Sequence, residues 1–287
     1  MNIAISRREF VGGALAAAGA LAVDRSVSAA PAFGAEPPKD ELPLVDYHVH
    51  RDGTTLEKLL AISRQKNVKF GIVEHAGTKE NKYPVVLSND DELKQYIASL
   101  EGKPVYKGIQ AEWLDWMTCF SKEVVAQLDY VLTDAWTLRD EAGKKVRMWD
   151  REFRVGDPEK FMDRYVDFHL ELMDKEPIDI LANPTWLPGG LDKQYDALWT
   201  PKRVQKVIDA VLKYGVAVEI NSQYRVPRIG WLRAAKAAGV KFSFGSNIRG
   251  AGVGKSDYWL EAIKALGLKR SDIFTPAPSG KKAIERR

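Results

Sequence analysis

The chain has 287 residues, an ordinary apolar share, and a formal charge of +4 from 43 basic and 39 acidic groups. That balance excludes a nucleic-acid-binding surface as the main function, while the length supports one barrel-sized domain or two smaller ones around a real core. A lone cysteine, Cys119, rules out an internal disulfide, so core packing and a metal are left to hold an exported fold.

In chain order, residues 1–35 read as a targeting and cleavage segment. Ser6-Arg7-Arg8-Glu9-Phe10-Val11 precedes an Ala/Gly-rich, weakly apolar stretch from Val11 to Val23 that is too short to span a bilayer. Small residues then offer cleavage after Ala29 or Ala35. The segment resembles a twin-arginine (Tat) signal peptide. The resemblance implies export of a folded protein by the Tat machinery to the periplasm or beyond, without stable membrane insertion. A Pro-rich linker at 36–42 leads to a single folded domain at 43–287.

Leu44 to His50, bounded by Pro43 and Asp52-Gly53, reads as a short buried strand. Residues two apart on a strand share a side, so His48 and His50 present two imidazoles to one point, which is the start of a metal chelate. A helix from Thr55 to Lys66 follows, then a strand from Lys69 to His75, whose last residue is a third histidine. Helix and strand alternate onward: Asp90 to Leu100, Val105 to Glu112, Ser121 to Leu128, Asp129 to Trp136. Thr137 to Gly156 is charged and aperiodic and reads as a long loop over a site. Asp157 caps a helix from Pro158 to Lys175 that carries His169, read as a packing or surface histidine. Ile178 to Trp186, Val216 to Tyr224 and Lys241 to Asn247 complete the strands, with helices from Pro201 to Tyr214, Ile229 to Ala238 and Asp257 to Leu266.

Seven strand-helix units predict an α/β barrel of parallel strands, since closure leaves no edge unpaired. The strand ends then converge on one mouth. They carry His48, His50, His75, Glu112, Asp134, Trp136, Asn183, Asn221, Asn247 and Arg249. So many polar groups at one rim point to a shared partner, although each asparagine taken alone is an ordinary turn residue.

The ordered stretches Val45-Asp46-Tyr47-His48-Val49-His50, Ile72-Val73-Glu74-His75, Gly108-Ile109-Gln110-Ala111-Glu112, Asp129-Tyr130-Val131-Leu132, Ile180-Leu181-Ala182-Asn183-Pro184, Val218-Glu219-Ile220-Asn221-Ser222 and Ser243-Phe244-Gly245-Ser246-Asn247 carry a further resemblance. Together they resemble the PHP (polymerase and histidinol phosphatase) family of metal-dependent phosphoesterases. The resemblance implies a distorted seven-stranded (β/α) TIM-like barrel and a site for up to three divalent ions. Its metal ligands carry over to His48, His50, His75 and Glu112. The chain departs from the family pattern at four places: Trp136 and Asn183 stand where the family has histidines, and Asn247-Ile248-Arg249 replaces an Asp-x-His. The loop after His50 also lacks a histidine.

The reduced set predicts one or two ions of Zn, Mn or Fe rather than three. Glu112 and Asp134 are the candidate catalytic carboxylates, and Arg249, Asn183, Asn247 and Trp136 the candidate substrate contacts. The expected activity is that of an exported metal-dependent hydrolase, phosphoesterase-like. It would use water acidified by the ion on a small anionic substrate, with tryptophans suited to a sugar-derived one. The alternative from another class is an inactive barrel that binds a ligand. An amidohydrolase barrel needs later histidines that this chain does not supply, and Cys119, flanked by Thr118 and Phe120 without a neighbouring histidine, reads as packing.

Overall fold

The computed structural model describes residues 42–286; the expected signal segment and nearly all of the linker lie outside the described residues. Seven parallel strands close into a barrel: β1 (Val45–His50), β2 (Lys69–Val73), β3 (Val105–Ala111), β4 (Tyr130–Thr133), β5 (Ile180–Leu181), β6 (Ala217–Asn221) and β7 (Phe242–Gly245). Each strand pairs with its sequence neighbours, and β1 closes on β7. The expected α/β barrel is the observed fold.

Helices α1 (Leu56–Lys66), α2 (Asp90–Leu100), α3 (Lys122–Val125), α4 (Pro158–Lys175), α5 (Pro201–Tyr214), α6 (Ile229–Ala237) and α7 (Asp257–Leu266) follow the strands. Their starts are set locally. Asn89 and Asp157 accept hydrogen bonds from the amides of Glu92 and Lys160, both at 2.9 Å, and Pro158 and Pro201 occupy first-turn positions where no N–H is needed. One apolar layer, including Val49, Phe70, Ile72, Ile109, Val131, Leu181, Val218 and Phe244, joins strands to helices. A second cluster of Val45, Tyr47, Val73, Tyr130, Leu132, Ile180, Ala182 and Ala217 fills the barrel interior.

Membership of these two layers exposes a change of phase inside β1. Val45 and Tyr47 belong to the interior and Val49 to the outer layer, although all three would share a face in a regular strand. The pairing with β2 shows why: Asp46 is opposite Phe70 and Val49 opposite Ile72, so β1 advances three residues while β2 advances two. This one-residue shift turns His48 and His50 inward after Tyr47.

Several elements differ from the sequence expectation. The second strand stops at Val73, and His75–Ala76 forms a separate short segment between Val86–Leu87 and the end of β3. The expected loop at 137–156 contains an antiparallel hairpin, Thr137–Arg139 with Lys145–Arg147, turning at Gly143. Its strands are three residues each, too short to show a period. β5 is two residues long because the chain leaves the sheet at Ala182 and turns through Asn183 with φ of 46°.

Tyr130 is the central plug. Its hydroxyl donates to the Tyr47 carbonyl at 2.7 Å, and its ring lies over Gly71 and Gly108. A Cβ at Gly108 would stand 2.3 Å from the Tyr130 ring. Gly108→Ala is therefore predicted to destabilise the fold by about 1–3 kcal/mol through overpacking, measured by urea unfolding. An unchanged midpoint would show that the interior is looser than this.

Candidate metal centre

The mouth of the barrel is built by alternation along the strands, and it divides into a part whose polar atoms satisfy one another and a part whose atoms do not. The satisfied part is a circuit of buried groups. Glu219 Oε1 is 2.7 Å from His48 Nδ1, and His48 Nε2 is 3.0 Å from Gln110 Oε1. Gln110 Nε2 donates to Asp134 Oδ2 at 3.3 Å, and Asn183 Nδ2 donates to the same oxygen at 3.1 Å. Asn221 Nδ2 then donates to Asn183 Oδ1 at 2.7 Å and to Glu219 Oε2 at 3.3 Å, closing the ring. Glu219 reaches this position because Gly245 has no side chain: a Cβ there would lie 1.7 Å from Glu219 Oε1.

Both nitrogens of His48 face oxygen acceptors, an arrangement suited to the protonated ring. Burial opposes that charge, but the Glu219 carboxylate and its hydrogen bond outweigh it and raise the His48 pKa.

The unsatisfied part is His50, Asp52 and His75. One ligand atom from each lies within 4.8 Å of the others. Both ring nitrogens of His50, Nε2 of His75 and Oδ1 of Asp52 are buried without a hydrogen-bond partner among the described residues. Buried polar atoms are rarely left so, and two imidazoles with a carboxylate are the donor set of a Zn, Mn or Fe site. The set fits a divalent cation.

Protonation agrees with that fit. Burial, then the positive charges of His75 and Arg249, hold His50 well below its usual pKa, and burial followed by Arg249 takes His75 to about 4. Both rings are neutral at pH 7 and carry a lone pair. The bond between His75 Nδ1 and Glu112 Oε1, 2.7 Å long, holds the ring by its Nδ1 side and leaves Nε2 for His50 and Asp52. Tyr83 donates to Glu112 Oε2 at 3.3 Å and stacks on His75 with centroids 3.6 Å apart. Arg249 Nε donates to Asp52 Oδ2 at 3.2 Å, leaving Oδ1 free.

The remaining expected residues take these places. Burial raises Glu112 to about 8, and burial followed by the Glu112 charge raises Asp134 to about 7. Trp136 donates its backbone N–H to Asp134 Oδ1 at 3.0 Å. Arg249 also donates from Nη1 to Asn247 Oδ1 at 2.5 Å. Asn183 and Asn247 have φ of 46° and 49°, a left-handed backbone that asparagine tolerates better than most residues.

Sequence reasoning missed four participants. Gln110 and Glu219 lie two residues before Glu112 and Asn221, so strand alternation was the signal for both. Asp52 was read only as turn punctuation beside Gly53, and nothing in the sequence marks Tyr83 as a neighbour of His75.

No family model matches the sequence, and no curated protein matches it. The class is set by structure: a closed α/β barrel of seven parallel strands. Among solved structures, the chain is similar to histidinol phosphate phosphatase from Lactococcus lactis subsp. lactis, solved with zinc, L-histidinol and phosphate. The TM-score is 0.53 at 14% identity, over 85% of this chain and 99% of that one, which establishes the shared fold. The YdjI aldolase from Escherichia coli K12 aligns at a TM-score of 0.32 and 13% identity, over 81% of this chain and 75% of that one, too low a score to bear on the fold.

His169, expected to be a packing or surface residue, is fully buried in α4 and donates from Nδ1 to the Tyr165 carbonyl at 2.7 Å. Burial lowers its pKa to about 4. Between its unfolded value near ~6.5 and 4, falling pH protonates the unfolded chain but not the folded one, so stability is lost across that window. The stability difference between the native chain and His169→Leu, from urea unfolding, is predicted to fall by roughly 3 kcal/mol at most from pH 7 to pH 4. A difference independent of pH would contradict the buried neutral ring.

Proposed function

We propose that the chain is a metal-dependent hydrolase of the phosphoesterase type, acting on a small anionic substrate. The observation that carries this is the convergence of unpartnered donor atoms from His50, Asp52 and His75. The fold shared with a phosphatase solved with zinc and phosphate supports it.

His50, His75 and Asp52 would hold the ion; when bound, it supplies Lewis-acid polarisation of the ester and acidifies water. Glu112 orients His75 through Nδ1. Asp134, with a pKa near neutrality, holds or releases a proton at the mouth. Arg249 fixes Asp52 and presents the guanidinium that favours an anion, and the charges of Arg147 and Lys145 on the hairpin act on the same region. A barrel that binds without turnover is the second reading, favoured by the engagement of both His48 nitrogens within the chain.

Metal analysis and phosphatase assays of the mature protein test the choice. Zn, Mn or Fe at about one ion per chain is expected, with activity abolished by chelators. His50→Ala with His75→Ala should lose the ion and lower kcat/KM by at least about 100-fold. Bound metal without turnover of any phosphate ester supports the binder; activity indifferent to chelators and to the double substitution rejects the metal mechanism.

We further infer export through the Tat machinery, supported by the Arg7-Arg8 pattern and the apolar stretch after it. Among the described residues no helix is long and apolar enough to cross a membrane. N-terminal sequencing of the exported form should read Ala30 or Glu36, and Arg7→Lys with Arg8→Lys should retain the precursor in the cytoplasm. Unprocessed protein from the native chain would refute export by this route.

A further inference from the structure

The rings beside the centre form a continuous arc. Trp136 lies 4.5 Å from Trp186, 5.3 Å from Tyr224 and 6.0 Å from Trp149, measured between ring centroids. Tyr83, stacked on His75, is 6.4 Å from Trp149. The arc thus begins against a candidate metal ligand and runs outward to Trp149, which is 40% exposed.

Three features suggest what the arc receives. Its contacts among Trp136, Trp149, Trp186 and Tyr224 are tilted by 42° to 74°, so they frame no parallel slot for a planar aromatic group. Trp136, Trp186 and Tyr224 are half-buried and Trp149 is exposed, which leaves apolar ring surface for the C–H side of a puckered ring. The indole Nε1 of Trp136 is a buried donor with no partner among the described residues, which a hydroxyl-bearing ligand would satisfy. Arg249, bonded to the candidate ligand Asp52 at 3.2 Å, carries a positive charge that acts on Tyr224 of the arc and on His75 alike.

We propose that this arc is a saccharide-binding subsite, and that the substrate is a sugar ring carrying an anionic ester directed at the metal centre. The inference rests on the hydrolase reading and adds the chemical class of the organic group. The ring packs on the arc, a hydroxyl accepts from Trp136 Nε1, and the ester extends past Arg249 toward His50 and His75. Trp136, held to Asp134 through its backbone N–H, keeps the sugar subsite in register with the polar circuit.

The test is calorimetric titration of the mature protein with hexose 1-phosphates, hexose 6-phosphates, glycerol phosphate and phenyl phosphate, done with the metal bound and again after chelation. The best hexose phosphate should bind about tenfold tighter than glycerol phosphate and tighter than phenyl phosphate. Trp149→Ala, at an exposed position, and Trp186→Ala should each erase most of that preference, while bound metal is unchanged. Preference for phenyl phosphate, or a hexose preference that survives both substitutions, overturns the proposal. The two readings fail separately. A hexose preference dependent on Trp149 in a protein that takes up no metal supports the subsite and rejects the hydrolase; metal-dependent turnover without a hexose preference does the reverse.

Discussion

Everything at the barrel mouth depends on the one-residue shift in β1. A strand that kept strict alternation would carry Tyr47 inward and His48 and His50 outward into the helix layer, where their ring nitrogens would meet only apolar side chains. The shift between Asp46 and Val49 lets Tyr47 stay in the interior cluster and sends both histidines to the same cavity. Asp46 braces that irregular stretch: its carboxylate accepts from the amides of His48, Ser246 and Gly254, at 3.1, 2.9 and 3.0 Å. Residues on both sides of the β1–β7 seam are thereby tied to one buried group.

The mouth separates two uses of buried polarity. Glu219, His48, Gln110, Asp134, Asn183 and Asn221 consume one another's hydrogen-bonding capacity, so this half is rigid and self-sufficient. His50, Asp52 and His75 keep donor atoms free at the adjoining edge. Partial satisfaction of a buried network is costly, and the free atoms of these three side chains lie together, where a single cation would satisfy them. Asn183 and Asn221 belong to the self-sufficient half. An amide both donates and accepts, so Asn183 links Asn221 to Asp134 where a carboxylate would bring a second negative charge against Asp134.

The hairpin at Thr137–Arg147 and the aromatic arc extend the site beyond the strand ends. Lys145 donates to Asn81 at 3.2 Å, and Arg139 and Lys145 each lie 5.2 Å from the Trp113 ring, so the hairpin is anchored across the mouth by polar and cation–π contacts. Trp149, just past the hairpin, joins Trp136 to Tyr83 and so connects a loop that a linear reading leaves shapeless to the candidate metal-ligand cluster.

Much of this was legible in the chain itself. Alternating strand and helix periods, capped starts and the polar strand ends identify the closed barrel, and the rim they define contains His50, His75, Glu112, Asp134 and Arg249, because the C-terminal ends of parallel barrel strands converge on one mouth. Local rules do not reveal which rim atoms are consumed by neighbours. That His48 is held between Glu219 and Gln110, 171 and 62 residues away, depends on contacts across the closed sheet and on the absence of a side chain at Gly245, and that Asp52 joins His50 and His75 depends on the turn after β1 folding over the end of β2. The sequence by itself determined the barrel and many of the strand-end residues at its mouth; only the tertiary structure brought Asp52, Tyr83, Gln110 and Glu219 in beside them and decided which remain free to take a ligand, since hydrogen-bond satisfaction is settled by partners brought together across the closed sheet.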